Sequence, residues 1–437
     1  KLIAINFGFD VITARVFSGH FLGSALQELA RKLGLVQLSD DRFYERLDAV
    51  GGSTSSLFVP PAFCDAIGVR GPWTASTGEA YFGRSYQMVT GNTLQDVITL
   101  VVYAPDDGGA TKPLVSATAP GMVGCLAGMN GDGVAMGGDT IRAPNANPKQ
   151  PGLNSLLLLR STLEVAGDLD ELVSYVVDAR RGAPFLYPAC DGSGDCAVLE
   201  AGAWLPDGTP EDPLQYVERK LQKAGLVPDA AFLTAHPTPP GVFRNGLYAR
   251  FMNYTDADSP YLAFNKDLFA AAGYPYSAEG FELGHFLFPN FTADLAAQPI
   301  LRNNLFFPQK EQDPDLVLLT NFAVVPADRL TMMSYWDNVF AATGEAIFWR
   351  YDKLLELLYA KRGAIDYATA IWIMEFLAPE RTPGYWKNEL VPGNVNSTIV
   401  EGSLTVYDLA NRVISSKSGY WGDKWISLKL LKYVEVA

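Results

Sequence analysis

Residues 58–88 read FVPPAFCDAIGVRGPWTASTGEAYFGRSYQM, and this stretch decides the fold class. Pro60 and Pro61 end the lead-in just ahead of Cys64. From Cys64 onward, Ile67 and Val69 continue a β-branched, period-two pattern. Gly71, Pro72, Ser76 and Gly78 then supply a turn, and Tyr81–Met88 returns as a second strand. Alternation sets Phe82, Arg84, Tyr86 and Met88 on one face of the return strand. An arginine among three large apolar neighbours needs a partner if it is buried. The pattern predicts that Cys64 is a nucleophile with Arg84 beside it. The same residues also suit an ordinary core cysteine at a strand start.

Upstream, residues 1–63 form a first unit. His20–Leu35 has helical periodicity through Leu22, Leu26, Leu29 and Leu33, and turns polar around Ser39–Arg42. A helical piece that stops ahead of a strand suits a propeptide or small N-terminal subunit, and equally an N-terminal helix packed on the domain. Because the first residue is Lys1, an upstream segment is expected to have been removed or left out.

Downstream, Val97–Tyr103, Leu114–Ala117, Gly124–Gly128 and Gly133–Thr140 read as strands, with a hairpin turn at Asn130-Gly-Asp-Gly. Asn154–Arg181 is the longest helical pattern, broken near its middle at Gly167-Asp168. A hairpin across Cys190–Cys196 runs into Val198–Glu200, and its cysteines could close a small loop around DGSGD. Residues 203–312 are rich in Pro, Gly, Phe and Tyr and read as an inserted irregular lobe, a wall of a substrate site. Leu316–Val325 is a buried strand interrupted by Asn321; Glu345–Arg362 and Tyr367–Leu377 are helices; Thr398–Asp408 and Arg412–Ser416 form a terminal hairpin. Strands, helices and strands again predict an α+β fold with antiparallel sheets, not alternating βαβ units.

A net charge of −14 without a Lys/Arg cluster argues against nucleic acid and anionic membrane as partners. With 48% hydrophobic and 19% charged residues the chain can pack a large core, and no stretch reaches the ~20 apolar residues of a membrane span. Four cysteines are too few for a disulfide scaffold, and the compartment leans extracytoplasmic, periplasmic or secreted. His20, His236 and His285 lie far apart and in no metal-ligand spacing, so neither a metal nor a cofactor is expected. A cysteine nucleophile without a nearby histidine needs another base. Its own α-amine, with a pKa of ~7.7–8.0, would serve if the chain were cut between Phe63 and Cys64. A Cys–His site using His236 or His285 is the competing arrangement. Asn321 is either a structural amide or an oxyanion donor. Arg350 shares a helix face with Ile347, Tyr351, Leu354 and Leu358, and either pairs structurally or enters the site.

Seven pieces in order carry a resemblance: Cys64 leading into YFGRSYQM, LAGMNGDGVAMGG (126–138), the helix from Asn154, CAVLEAG (196–202), LLTN (318–321), FWRYDKLLELL (348–358) and STIVEGSLTVYD (397–408). The chain resembles N-terminal-nucleophile hydrolases of the choloylglycine hydrolase and isopenicillin N acyltransferase type. That resemblance implies a four-layer αββα fold of two antiparallel sheets, with residues 64–437 as the catalytic domain carrying the insertion 203–312. It also implies autocleavage at Phe63–Cys64 and attack by Cys64 on a linear amide in a small acylated amine. The cleaved N-terminal segment would leave or stay bound. Arg84 would stabilise the thiolate, Asn321 would donate to the oxyanion, and Arg350 would organise the pocket, with Tyr86, Gln87 and Asp139 in the pocket or just behind it. Three departures stand out. Gln87 replaces a carboxylate that holds the nucleophile's amine, Asp139 replaces a second oxyanion asparagine, and Asp65 follows the cysteine where a small or hydroxyl residue is usual. The alternative they raise is a catalytically inactive binding protein that keeps the fold.

Overall fold

The computed structural model describes residues 64–76, 78–88, 97–140, 152–181, 185–202, 230–235, 245, 247–252, 267, 314–321, 341–376, 401–419 and 423–430. Expectations for residues 1–63, for all three histidines and for most of 203–312 fall outside them.

The first strand shows how the layers arise. In β1 (Asp65–Arg70), Ile67 and Val69 point one way and Ala66 the other, as a period of two requires. β1 lies between β2 (Ala80–Met88) and β11 (Leu316–Thr320), and the sheet continues through β12 (Glu401–Asp408), β13 (Val413–Ser418) and β14 (Ile426–Lys429) in the order β11-β1-β2-β12-β13-β14. A second sheet runs β10-β9-β8-β6-β5-β4-β3, from Leu247–Phe251, Cys196–Ala201, Phe185–Cys190, Ala135–Gly137, Ala127–Asn130, Leu114–Thr118 and Thr99–Tyr103. The short β7 (Asp139–Thr140) also pairs with β8. Every pairing in both sheets is antiparallel.

Three apolar clusters stack these elements into four layers. Ala66, Phe82, Val317, Leu319 and Tyr407 of the first sheet pack on Val115, Met129, Leu186 and Val198 of the second. On the outer side of the first sheet, Ile67, Val69 and Leu318 meet Tyr351, Leu354 and Ile373 of α4 (Ala341–Lys361) and α5 (Tyr367–Phe376). Outside the second sheet, Tyr187, Leu199 and Ala249 meet Leu159, Leu163 and Val173 of α1 (Ser155–Val165) and α2 (Leu169–Asp178). The result is the α+β fold with antiparallel sheets expected from the strand pattern, in the αββα layering that the resemblance implies. A short α3 spans Ala230–Ala235.

Local chemistry explains the joints. Asn154 caps α1 by accepting from the Leu156 and Leu157 amides, each at 3.1 Å. Asp168 caps α2 from Glu171 N at 2.8 Å while Glu171 reaches back to Gly167 N, so the long helical pattern divides at Gly167-Asp168. The Asn130 side chain donates to the Leu163 and Ala166 carbonyls and accepts from the Asp132 and Val134 amides. It thereby fixes the β5–β6 turn to the end of α1. Cys190 and Cys196 form a disulfide across the β8–β9 turn. Above them β1 passes at Gly68, where a Cβ would sit 2.8 Å from the Cys196 sulfur, so only glycine allows this approach.

Two expectations change, and one strand is new. The strand read at Gly124–Gly128 lies at Ala127–Asn130, because Cys125 N bonds to Leu156 O and Thr118 Oγ1 to Gly124 O, which holds 124–126 against α1. The stretch 203–312 is not wholly irregular, since β10 lies within it and forms an edge of the second sheet. Leu247 and Ala249 enter the helix-side core there, a pattern too short to stand out among prolines and aromatics. β14, which no expectation covered, extends the first sheet past β13.

Candidate active site

Register lays out the face of the first sheet that looks into the sandwich. Across β11, β1, β2, β12 and β13, the deepest row is Val317, Gly68, Phe82, Tyr407 and Ile414. The next is Leu319, Ala66, Arg84, Thr405 and Ser416. Because Asp65 pairs with both Thr320 and Ser85, continuing by one residue sets Cys64 between Asn321 and Tyr86. The outermost row is then Asn321, Cys64, Tyr86, Ser403 and Ser418. The face grades from apolar to polar towards Cys64. Neighbouring strands are about 4.8 Å apart, so Asn321 and Tyr86 each lie one strand from the cysteine.

Cys64 is buried and outside the disulfide, packed with Tyr86, Leu126 and Leu156 and bordered by Ile98 and Met122. Arg84 is fully buried, with Nη2 2.7 Å from Asp139 Oδ1 and also donating to the Gly138 carbonyl. Burial opposes the guanidinium charge, and Asp139 first, then Cys64, sustain it. The guanidinium also lies 5.3 Å from the Tyr86 ring centroid. Gly137 makes the seat for this side chain, since a Cβ there would stand 2.6 Å from Arg84 Cδ and 2.7 Å from Nε. Gly137→Ala is therefore expected to displace Arg84, destabilise the fold by about 1–3 kcal/mol and lower the reactivity of Cys64 towards iodoacetamide. A variant as stable and as reactive as wild type would exclude this seat.

Asp139 is the residue that the resemblance sets where an oxyanion asparagine would stand. Its carboxyl turns to Arg84, and burial pushes its pKa up to about 7, with Asp65 adding to the rise and Arg84 and Arg350 opposing it. A carboxyl raised in the folded state keeps its proton after the unfolded chain has lost its own, so stability falls as pH climbs between the two values. The stability difference between wild type and Asp139→Asn, measured by urea unfolding, is thus expected to shrink for wild type from pH ~4 to pH ~7 and level off above. A constant difference across that window would show that Asp139 titrates normally.

Behind the sheet, Arg350 of α4 donates through Nη2 to both carboxylate oxygens of Asp65, at 2.8 and 2.6 Å, with both residues buried. Burial raises the Asp65 pKa, and Arg350 first, then Arg84, pull against it. By alternation Asp65 points to the helix layer with Ile67 and Val69, opposite to Cys64. The structure thus sets Cys64, Arg84, Asn321 and Tyr86 on one face of the first sheet, brings Asp139 of the second sheet against Arg84, and sets Arg350 on the other face, fastened to the residue next to the cysteine. The backbone of Gln87 pairs with Gly402 in β2–β12, while its side chain and Phe63 fall outside the described residues.

Sequence reading missed a third buried pair, Glu200 Oε1 and Arg250 Nε at 3.1 Å, fully enclosed between the sheets. Arg250 also donates to the Leu318 carbonyl at 2.9 Å, tying β10 to the strand that leads to Asn321. The signal was present: one acid in CAVLEA and one base in LYARF, in otherwise apolar strands that pair diagonally.

Comparison with known proteins adds the following. Residues 73–206 match the family model described as acyl-coenzyme A:6-aminopenicillanic acid acyl-transferase, a match that begins beyond Cys64. An uncharacterized protein of Archaeoglobus fulgidus is 25% identical over 356 residues, which are 81% of this chain and 43% of that protein. The chain thus spans less than half the length of this curated relative. Among solved structures, a mutant of the conjugated bile acid hydrolase from Clostridium perfringens aligns at 12% identity and TM-score 0.39, covering 84% of this chain and 93% of its own. Penicillin V acylase from Agrobacterium tumefaciens aligns at 15% identity and TM-score 0.34, covering 84% and 88%. The family-model match over residues 73–206 and the two stacked antiparallel sheets agree with the resemblance to N-terminal-nucleophile hydrolases.

Proposed function

We propose that this chain is an autoprocessed cysteine amidohydrolase or acyltransferase that acts on small acylated amines. The observation that carries the reading is the outer row of the first sheet, where Cys64 stands between Asn321 and Tyr86 with buried Arg84 one residue deeper on β2. The family-model match supports acyl transfer as the chemistry. In this reading the Phe63–Cys64 bond is cut first, which frees the α-amine of Cys64.

The amine takes the thiol proton, and the sulfur attacks the acyl carbon of the amide. The oxyanion that forms is held by the Asn321 side chain. The C–N bond then breaks, the leaving amine takes the proton back, and the acyl group remains as a thioester on Cys64. Water releases it as an acid, or a second amine accepts it as a new amide. Arg84 favours the thiolate throughout, and Asp139 keeps that guanidinium on the β7 side of the face. Leu126, Leu156, Ile98 and Met122 around the sulfur suit an apolar acyl group.

Intact-mass analysis of freshly purified protein under denaturing conditions tests the first step. Two fragments meeting at Phe63/Cys64 are expected. A single uncut chain would remove the amine base and move the reading to a binding protein that keeps the fold.

A further inference from the structure

The site end of the outer row, Asn321, Cys64 and Tyr86, is carried by β11, β1 and β2, and a buried arginine–carboxylate pair reaches each strand. Arg84 with Asp139 holds β2 two residues before Tyr86, and Asp65 with Arg350 holds β1 one residue after Cys64. The third pair, Glu200 and Arg250, reaches β11 three residues before Asn321, through the 2.9 Å bond from Arg250 Nη2 to the Leu318 carbonyl. The chemistry proposed above gives this third pair no part.

Its setting is specific. β11 ends the first sheet, with β1 on one side only. Arg70 N bonds to Asp315 O, so along β1–β11 the bonded pairs continue at Gly68–Val317 and Ala66–Leu319. Leu318, opposite Ile67, therefore turns its carbonyl away from β1 to the open edge, where Arg250 meets it. A strand held by a neighbour on one side only opens more readily than a central one. On the second sheet Glu200 shares a row with Leu186 and Asp139, so a single row supplies the acid for both ties between the sheets.

Stability alone does not account for the pair. Desolvating two charges offsets most of their attraction, and apolar residues would fill the same space at least as well. Val317 and Leu319 on either side of Leu318 already pack in the core between the sheets. What an apolar residue could not supply is a donor to the Leu318 carbonyl at a fixed height along β11.

We propose that Arg250, held by Glu200, is a positioning residue for the oxyanion step: by fixing the open edge of β11 it sets the Asn321 amide against Cys64. This rests on the reading of Asn321 as the oxyanion donor. Arg250 comes from β10, so the stretch 203–312 acts on the chemistry through a strand, without touching substrate.

The test uses the full chain and the double variant Glu200→Leu with Arg250→Met. Removing both charges together strands neither, so the variant is expected to fold with a Tm close to wild type. With octanoyl-glycinamide its kcat is expected to fall about ten- to hundredfold, less than for a deleted oxyanion donor, while KM stays within about twofold. Rates are taken per cut chain, counted by intact mass. Alkylation of Cys64 by iodoacetamide passes through no oxyanion, so it should keep its wild-type rate. On an Asn321→Ala background the double change should cost little more, because Arg250 acts through that amide. Wild-type kcat in the double variant overturns the proposal. So does a loss that appears equally in alkylation or persists in full beside Asn321→Ala, since either marks a general loosening of the site. If wild type stays uncut or turns over no amide, the nucleophile reading fails separately, and amide hydrogen exchange decides this one. Faster exchange over residues 316–321 in the double variant, with residues 80–88 unchanged, upholds the hold on β11; equal exchange overturns it. Should that variant not fold, Glu200→Gln with Arg250→Gln takes its place, a neutral pair whose amide stops short of where the guanidinium ends.

Discussion

Cys64→Ala is expected to leave a folded, uncut chain that turns over amides at least about 10³-fold more slowly than wild type. Two losses coincide in that variant. The thiolate that would carry the acyl group is gone, and the sulfur that would cut the Phe63–Cys64 bond is gone with it, so the α-amine never appears. The fold should tolerate the change, because alanine fits the small cluster of Tyr86, Leu126 and Leu156 at a cost of about 1 kcal/mol. Far-ultraviolet circular dichroism and Tm control for folding, intact mass reports the cut, and turnover of an octanoyl amide reports the chemistry. Substantial residual turnover would place the nucleophile elsewhere and revive a histidine-assisted site with His236 or His285. A variant that is cut as wild type but inactive would separate the two roles and assign the cleavage to another residue.

The fold was readable because its strands advertise themselves. Ile67 and Val69, and Phe82 and Tyr86, fall at a period of two, Leu316–Leu319 form a short continuous apolar run, and the Asn130 and Gly167-Asp168 signals fell where turn and cap occur. Pairing order was not readable, because β11 and β12 reach β1 and β2 from far along the chain, and no local pattern encodes such partners. β10 was lost for a related reason, being five residues long amid proline- and aromatic-rich sequence. At the site, Arg84, Asn321 and Arg350 each stood out as polar residues in apolar patterns. Their partners did not. Asp65 and Asp139 read as departures from a resembled motif, whereas in the structure each carboxylate faces an arginine.

Asp65→Ala is expected to destabilise the protein by about 3–5 kcal/mol, because it strands the Arg350 guanidinium in a buried site. Arg350→Met should cost a similar amount for the mirror reason, leaving a buried carboxylate whose pKa burial already raises. The double variant is expected to lose much less than the sum, since an apolar replacement of both partners leaves no buried charge. Urea unfolding of the four proteins gives the coupling energy, and additive losses would mean that the pair contributes nothing as a pair. Kinetics extend the argument to function. Arg350 lies behind the first sheet and reaches the thiol only through Asp65, the next residue along β1. If it positions Cys64 in this way, the single variants lose kcat with little change in KM, and the double variant regains part of it as β1 regains its place. If Arg350 instead reaches the substrate, the double variant stays as impaired as Arg350→Met, and KM rises with it. The same four proteins thus distinguish a structural lock from a binding cation, and Asp65, the least typical residue of the site, becomes the one that explains why Arg350 is there.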